Sequence, residues 1–500
     1  MDEDIVKFRE WLKRNDCDFD RLIDWPSYDT LSGSRGAIAK SDILTNEVML
    51  VIPQQLMISP PNAFKDPIIG LSLYDSKELL TGDILIAVYL AYEYEKGEDS
   101  FYYPYLKILP KPSTISEWCD DDLMELQDDS LALRAKRGKN RVKIMYECNV
   151  LPYRNKYTKL FTHDSLSYES FLFSWYSIQA RAFGRRLPWT AMVPFADCLN
   201  HANVQTKYDY NVDDNGCFRL FPTGANKYSK GSEVFNSYGR RPNDNLLLDY
   251  GFSMLDNEWD QVVLDFCFSS SSSHYEKKLT FLYNSGKPIL YSYYYHHYHI
   301  IIISLSGYNK DIQIKIYGDN DIPLDSLACL RIISLDDDEV KVVESTLDDL
   351  IKPNENIFQS RVSKLGKLRG FFENIISIRN ELEALQKLKK ILEDWQSSHL
   401  TSLEDDETIL IDLNNSIDDD AKWRKISTVT YRLTRKRYVS RLLQIVQVIT
   451  NNLSERDNET RNDLLDSVHE LCESFRSAST SPSARTNKYI KELINIEEFF

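Results

Sequence analysis

Two stretches with strand-like patterns lie on either side of a long helical stretch, and this order constrains the fold more than any other feature. Residues 31–59 and 187–252 contain short β-like runs separated by Gly, Asn and Pro. Residues 76–185 instead repeat apolar positions at helical spacing. We therefore predict one β-rich unit that is split by a helical insertion.

The later part of the chain has longer helical patterns and more charge. Amphipathic helices are predicted over 321–350, 357–399 and 421–500, after a serine run at 269–273 that indicates a domain change. Residues 404–420 hold many acids and no Lys or Arg, and we interpret them as a solvated loop neutralised by the basic stretch 422–441. The expected class is α+β, a β-rich domain interrupted by a helical insertion and followed by a mainly α-helical C-terminal domain. The predicted boundaries are 1–75 for the N-terminal helix and first β part, 76–186 for the insertion, 187–268 for the second β part and 275–500 for the helical domain.

Composition limits the classes of function. The chain has 500 residues, 42% of them hydrophobic, and a formal net charge of -16, so a sizeable core is expected and general binding to nucleic acid or anionic membranes is not. The eight cysteines have no spacing typical of a zinc site or a disulfide framework. With no secretory or membrane-spanning pattern, we expect a reducing compartment, the cytoplasm or nucleus or both.

Three separated motifs carry the functional prediction. Ser34-Arg35-Gly36-Ala37 follows a predicted turn, VPFADCLNH ends at Asn200-His201, and NSYGRRPNDNLLLDYGF spans residues 236–252. In this order and with these neighbours, they resemble the SET-domain protein methyltransferases. The branch that they resemble is typified by the Rubisco large-subunit lysine methyltransferase, with a helical insert in the SET domain and a helical substrate-binding domain after it.

The resemblance covers most of the chain. It is strongest from Phe171 to Phe252, and it extends to 34–58 and to YYPYLKILP at 102–110. Two stretches, 322–335 and 402–410, resemble parts of the branch's C-terminal domain.

The resemblance implies an enzyme that transfers methyl groups from S-adenosylmethionine to a lysine of a protein. The sulfonium already activates the methyl group, so no metal or covalent nucleophile is needed, and the site must align and dehydrate the reactants. This requirement explains why the motifs contain phenols and rings. A free lysine titrates at about 10.4, so the site must also lower the pKa of the target amine.

The resemblance also assigns roles by position. Tyr238 is the expected catalytic residue, and its phenol contacts the target nitrogen or the methyl group. Arg35 and Gly36 belong to the loop facing the donor, although Ser34 departs from the usual glycine of that loop. The remaining residues expected at the donor are Arg181 for its carboxylate, Asn200 and His201 for its amino and adenine groups, and Phe252 for stacking, besides Tyr238.

Three residues are expected on the substrate side. Phe183 and Tyr250 are expected to line the channel for the lysine stem, and Asp197, with Ala180, would contribute its backbone carbonyl to the methyl-transfer pore. The expected substrate is a basic protein, such as a ribosomal protein. The enzyme is expected to be a monomer that binds no nucleic acid, membrane or metal.

Several alternatives stay open at this point. The same branch contains an enzyme that methylates a histidine of actin, although the apolar pair Ala182-Phe183 suits a lysine stem better than an imidazole. An inactive SET-like adaptor is a second alternative. His296, His297 and His299 suggest a metal site only weakly, because adjacent histidines on a strand point to opposite faces. The basic run from Arg134 to Lys143 is interpreted as a solvated helix face.

Overall fold

The chain forms two compact units. The computed structural model describes residues 2–28, 35–212, 216–284, 310–317, 322–349, 372–415, 420–454, 464, 467–468, 470–471 and 484–494. One unit comprises Met1–Met254 with Asp418–Thr428, and the other comprises Leu255–Ile417 with Val429–Phe500. The contacts thus divide the chain after residue 254, whereas the sequence analysis placed the boundary after 268, so the predicted domain limits remain a prediction.

The first unit begins with helix α1, Glu3–Arg14, as the apolar spacing predicts. The Asp2 side chain caps its first turn, and one face buries Ile5, Phe8, Trp11 and Leu12. Two small antiparallel sheets follow: β1 (Ile23–Ser27) pairs with β2 (Gly36–Ala39), and β3 (Leu50–Pro53), β4 (Thr206–Asn211) and β5 (Cys217–Pro222) form a sheet in the order β3-β5-β4. The β3–β5 pairing joins strands on either side of the insertion, as the predicted split unit requires.

The insertion consists of helices that pack into the core of the same unit. They are α2 (Pro60–Phe64), α3 (Gly70–Asp75), α4 (Asp83–Glu95), α5 (Tyr103–Ile108), α6 (Asp120–Met124), α7 (Asp129–Met145), α8 (Leu151–Lys156) and α9 (Tyr168–Arg181). Helix α4 is apolar nearly all round, from Ile84 to Ala91, and is accordingly buried. Helix α9 lies against α4 and carries Arg181 at its last position.

The motif 236–252 contains helix α10, Asn243–Tyr250. Leu246 and Leu247 are buried, so part of the leucine run is core. Gly251 ends the helix with a φ of 81°, and a Cβ there would lie 2.2 Å from the carbonyl oxygen of Ser113. Glycine at 251 therefore allows the chain to reverse between Tyr250 and Phe252.

The second unit is mainly helical with one antiparallel strand pair. Strand β6 (Gln261–Phe268) pairs with β7 (Lys310–Tyr317), and the sequence analysis did not predict β7 despite its alternating isoleucines. The helices are α11 (Tyr275–Asn284), α12 (Leu324–Ile333), α13 (Asp337–Asp349), α14 (Ile378–Ser397), α15 (Leu403–Asn415), α16 (Asp420–Ser454) and α17 (Ala484–Ile494). The first turns of α16, through Thr428, group with the first unit. A second apolar core includes residues of α12, α14 and α16.

The acidic segment is a helix, and its interpretation as a solvated loop was wrong for residues 404–415. Asp406 is completely buried and accepts hydrogen bonds from Arg432 Nη2 and Lys436 Nζ, both at 2.7 Å. A buried carboxylate with two cationic donors holds α15 to α16. The basic stretch does neutralise the acidic one, but through specific buried contacts.

Candidate functional site

Arg181, Asp197 and Tyr105 form a hydrogen-bonded group in the first unit. Arg181 Nη1 donates to the backbone oxygen of Asp197 at 3.0 Å and lies 3.5 Å from its carboxylate Oδ2. Tyr105, from α5, donates its hydroxyl to the same Oδ2 at 2.6 Å. The carboxylate is inaccessible to solvent, whereas the Arg181 side chain is 20% exposed. Asp197 thus fixes one amino group of an arginine that still reaches the surface.

The charges of this group follow from burial and mutual contact. Burial raises the pKa of Asp197, and Arg181 and Tyr105 oppose that rise by stabilising the carboxylate. Burial lowers the pKa of Arg181, but Asp197, Cys198, Tyr105 and Tyr238 together outweigh it, so the net shift is upward and the guanidinium stays charged. Burial raises the pKa of Tyr105 well above its usual range, so its hydroxyl keeps its proton and is the donor.

Four aromatic rings form a cluster in the same unit. The His201 ring stacks on Tyr238 with centroids 4.9 Å apart, and Tyr250 lies 4.8 Å from Tyr238 on a tilted plane. Phe252 lies 6.2 Å from His201 and 6.1 Å from Tyr250. Residues of two separate motifs are thereby brought together, as the sequence analysis expected.

Tyr238 is held at both its backbone and its hydroxyl. Its hydroxyl donates to the carbonyl oxygen of Leu199 at 2.8 Å, and its backbone N–H donates to His201 Nδ1 at 3.1 Å in the tautomer whose Nδ1 carries no proton. Burial raises the pKa of the phenol far above 10, against the lowering effect of Arg181. The phenol is therefore neutral, and its proton is directed at Leu199, so the oxygen can accept a hydrogen bond from a ligand.

His201 is a buried neutral imidazole. Burial lowers its pKa to about 4, with Arg241 adding to the effect and the contact to the Asn236 carbonyl opposing it. Its Nδ1 lies near both the Tyr238 N–H and the Asn236 carbonyl oxygen, at 3.1 and 3.2 Å, and the tautomer decides which of these bonds forms. Among the described residues, Nε2 has no hydrogen-bond partner although it is buried. A buried polar atom of this kind is costly unless a ligand or water satisfies it.

Asn200 is oriented by an acid that the sequence analysis did not single out. Its side-chain Nδ2 donates to Glu233 Oε1 at 2.9 Å, and Glu233 is buried beside β2, where it bridges to Ile38. The Asn236 N–H donates to the Asn200 carbonyl oxygen at 2.8 Å. No motif pointed to Glu233. Tyr105, by contrast, lies in the recognised stretch 102–110, which had been given no role.

The remaining predicted residues occupy different surroundings. Arg35 donates to the Ile108 carbonyl oxygen at 2.9 Å and lies over the Trp25 ring, and Gly36 starts β2. Residues 33 and 34 lie outside the described residues, so the predicted loop is seen only from Arg35 onward.

Phe183 is buried in the core of the first unit. Its ring packs edge-on against Tyr208 at 5.2 Å and Phe218 at 4.9 Å, and its backbone pairs with Ala191. The neighbouring Ala180, Arg181 and Ala182 are partly exposed. Phe183 therefore supports the apolar wall behind these residues, and its predicted contact with a substrate remains a prediction.

No three His, Cys, Asp or Glu side chains come together as a metal site within the part of the chain that the structure describes. The histidines at 296–299 lie outside that part. The same described residues include no helix with the length and apolarity needed to cross a membrane.

Several known proteins are similar to this chain in sequence. Residues 269–439 match the family model described as Rubisco LSMT substrate-binding. SET domain-containing protein 4 of Mus musculus is 27% identical over 268 residues, covering 51% of this chain and 59% of that protein. Actin-histidine N-methyltransferase of Rattus norvegicus is 26% identical over 396 residues, covering 75% of this chain and 58% of that protein. The chain thus spans about three-fifths of the length of these curated relatives.

Solved structures extend the likeness to nearly the whole chain. Rubisco LSMT bound to sinefungin and monomethyllysine superposes with a TM-score of 0.65 at 21% identity, covering 93% of this chain and 96% of that one. Rubisco LSMT bound to AdoMet gives 0.64 at 20% identity, covering 91% and 94%. The resemblance and the fold class are confirmed: this chain has the α+β fold of Rubisco LSMT, with a β-rich domain split by a helical insertion, followed by a region that matches the Rubisco LSMT substrate-binding family model.

Proposed function

We propose that this protein is an S-adenosylmethionine-dependent methyltransferase that modifies lysine side chains of a protein substrate. The observation that carries the proposal is the Tyr238 phenol, which is neutral, anchored by its proton to the Leu199 carbonyl and enclosed by His201, Tyr250 and Phe252. A second support is Arg181, which keeps accessible surface while Asp197 holds one of its amino groups.

The residues present fit the proposed methyl donor. Arg181 is a charged, partly exposed guanidinium suited to a carboxylate. His201 Nε2 is a buried polar atom without a partner among the described residues, and the ring of Phe252 lies beside it for an aromatic base. The Rubisco LSMT structures contain AdoMet, AdoHcy or sinefungin, which supports the same class of ligand here.

The donor, when bound, supplies a methyl group already activated by its sulfonium. The chain's own residues have to bind, orient and dehydrate the reacting groups. Because the proton of Tyr238 is held by Leu199, the phenol oxygen presents lone pairs to an N–H of the target amine and directs the amine's remaining lone pair. The rings of Tyr250 and Phe252 place apolar surface beside Tyr238, which favours the neutral amine that the reaction requires.

Lysine is favoured over histidine as the target by the two apolar residues that follow Arg181 in the chain. Ala182 and Phe183 follow it, and the Phe183 ring is enclosed by Tyr208 and Phe218, so neither residue offers a hydrogen bond to an imidazole. A lysine stem needs only apolar walls. The related SET domain of LSMT has been solved with methyllysine bound, which agrees with this choice.

Histidine methylation is the second candidate function. Several curated relatives are actin-histidine N-methyltransferases, including that of Gallus gallus at 24% identity over 382 residues. An inactive adaptor is disfavoured because Arg181, Asn200, Tyr238 and Phe252 are all present and the rings are clustered.

Two measurements test the proposal. Calorimetry with S-adenosylhomocysteine in the presence of a chelator should give saturable binding, and the absence of binding at millimolar ligand would refute the proposed donor. The purified chain is then incubated with methyl-labelled donor and a lysate of its own organism, and the labelled residue is identified by mass spectrometry. Methyllysine is the expected product, whereas methylhistidine would select the second candidate.

A further inference from the structure

Tyr105 is a buried tyrosine whose hydroxyl contacts a carboxylate. It lies in α5, its ring packs 5.9 Å from that of Phe8, and the side chain is fully buried. A phenylalanine would fill almost the same volume, so the distinctive contribution of the tyrosine is its hydroxyl. That hydroxyl donates to Asp197 Oδ2 at 2.6 Å.

Asp197 connects Tyr105 to the predicted donor-binding arginine through contacts with both residues. Its backbone oxygen accepts from Arg181 Nη1 at 3.0 Å, while its carboxylate lies 3.5 Å from the same nitrogen, beyond a good hydrogen bond. The shortest contact of the carboxylate is therefore with Tyr105. The weak thiol of Cys198, 3.8 Å away, is a further contact.

Removal of the Tyr105 hydroxyl would leave the Asp197 carboxylate to compete with a ligand carboxylate for the Arg181 guanidinium. A buried carboxylate without the Tyr105 hydroxyl would satisfy itself on the nearest cation, which is Arg181. A closer Asp197–Arg181 pair would leave less of the guanidinium for a second carboxylate. With the Tyr105 hydroxyl as its nearest partner, the Asp197 carboxylate lies 3.5 Å from Arg181 Nη1, and the Asp197 backbone oxygen accepts the hydrogen bond from that nitrogen.

We propose that Tyr105 is a positioning residue for donor binding: through Asp197 it keeps the Arg181 guanidinium oriented and available for the carboxylate of the methyl donor. This inference rests on the proposed function, since it presumes that Arg181 binds that carboxylate. It assigns a role to the stretch 102–110, whose likeness to the branch carried no function of its own.

The test compares the affinity of the full-length chain and its variants for S-adenosylhomocysteine by calorimetry. Tyr105→Phe should raise the Kd about tenfold, the order expected when a hydrogen bond to a charged group is lost and the charge is redirected. The matched control is Tyr102→Phe, because Tyr102 is also buried at the start of α5 and donates its hydroxyl to a backbone carbonyl, that of Met57, at 3.1 Å. This control should bind like the wild type even if both variants lose thermal stability.

Two further readouts separate positioning from loss of structure. The affinity for 5′-methylthioadenosine, which has no carboxylate, should be the same in Tyr105→Phe and the wild type. In a double-mutant cycle, Tyr105→Phe should have little further effect in an Asp197→Asn background, because Asp197 transmits it.

The outcomes are distinct. If the wild type does not bind S-adenosylhomocysteine, the proposed function fails before Tyr105 is tested. If the wild type binds but Tyr105→Phe binds equally well, weakens both ligands equally, matches Tyr102→Phe or adds fully to Asp197→Asn, the positioning role is wrong while the proposed function stands.

Discussion

Each unit of the protein contains an arginine and a tyrosine that contact the same acidic residue, but the two groups are built differently. In the second unit, Arg331 makes two hydrogen bonds to the Glu381 carboxylate, and Tyr489 donates its hydroxyl to the same carboxylate. The remaining amino group of Arg331 donates to the backbone oxygens of Phe372 and Glu373, at 3.0 and 3.1 Å. Both charged side chains are inaccessible to solvent.

In the first unit, the same three kinds of side chain leave some hydrogen-bond donors of the arginine without a contact in the group. Arg181 meets Asp197 through one nitrogen only, and the side chain remains one-fifth exposed. A buried ion pair whose donors are all satisfied holds helices together, whereas a charged group with accessible donors can bind a ligand. The difference indicates that burial and an ion-pair partner do not identify a site. We expect the unused hydrogen-bonding capacity of the arginine to be the distinguishing feature.

The largest expected effect is a loss of stability when the fully buried group of Arg331, Glu381 and Tyr489 in the second unit is broken. Arg331→Met should destabilise the second unit by about 3–5 kcal/mol, because the Glu381 carboxylate stays buried without its cation. Arg181→Met should cost less than half as much, since Arg181 hydrogen-bonds only the backbone oxygen of Asp197 and lies 3.5 Å from its carboxylate, whose pKa burial already raises. Urea unfolding of the two variants measures both values. Equal losses would remove the proposed distinction between a structural group and a binding group.

The pH dependence of stability should reveal the neutral His201. Its pKa is about 4 in the folded protein and near 6.5 when unfolded, so the unfolded chain binds the extra proton between these values. The stabilising contribution is complete above pH 6.5 and is lost as the pH falls from 6.5 to 4, by on the order of 3 kcal/mol.

The control for this prediction is His201→Phe, which keeps a ring against Tyr238 but cannot titrate. Between pH 7 and pH 4.5 the unfolding free energy of the wild type should fall more steeply than that of the variant. Parallel curves for the two proteins would mean that His201 is not held neutral.

Removing the Tyr238 hydroxyl should lower the rate of methyl transfer without weakening the binding of the donor. Tyr238→Phe should lower methyl transfer on the order of 10²-fold, because the hydroxyl orients the reacting amine, while the affinity for S-adenosylhomocysteine stays within a few-fold. Turnover is measured with the acceptor protein identified from the lysate. Tyr102→Phe is the control for loss of a buried hydroxyl, and wild-type turnover in Tyr238→Phe would show that Tyr238 is only a core residue.

A conservative change of each arginine sharpens the comparison further. Arg181→Lys should weaken the binding of S-adenosylhomocysteine about tenfold, because an ammonium cannot make the paired contacts of a guanidinium. Arg331→Lys should leave that affinity unchanged and lower only thermal stability. If both variants bind like the wild type, Arg181 does not contact the donor carboxylate.

The sequence was sufficient for the order of the elements and for the ring cluster. Helical and strand periodicities predicted the split β unit. The family resemblance implied that Tyr238, Tyr250, Phe252 and His201 belong to one site. These features depend on local spacing or on a recognisable order of motifs, both of which are visible in one chain.

The missed features depend on contacts between distant residues. Asp406 was one acid among many at 404–420, and nothing local distinguishes it from its exposed neighbours until Arg432 and Lys436 lie against it. Glu233 and Tyr105 were missed as partners of Asn200 and Asp197 for the same reason. Which member of a charged segment is buried is decided by tertiary packing and not by composition.

The smallest expected effect concerns the acids of α15 that remain exposed. Glu404 and Asp412 are exposed on this helix, whereas Asp406 must be left intact because it is buried in an ion-pair group. If the substrate is basic, as the sequence analysis expects, Glu404→Lys with Asp412→Lys in a chain of net charge -16 should weaken substrate affinity about two- to threefold at low salt, through weaker long-range attraction. The difference should vanish at high ionic strength, where the Debye length falls to about 3 Å at 1 M salt. Steady-state kinetics with the identified acceptor protein at two salt concentrations measure this, with S-adenosylhomocysteine binding as the control. Equal affinity at low salt would mean that the exposed face of α15 does not act on the substrate, and a loss of ligand binding instead would mean that the second unit also contributes to the donor site.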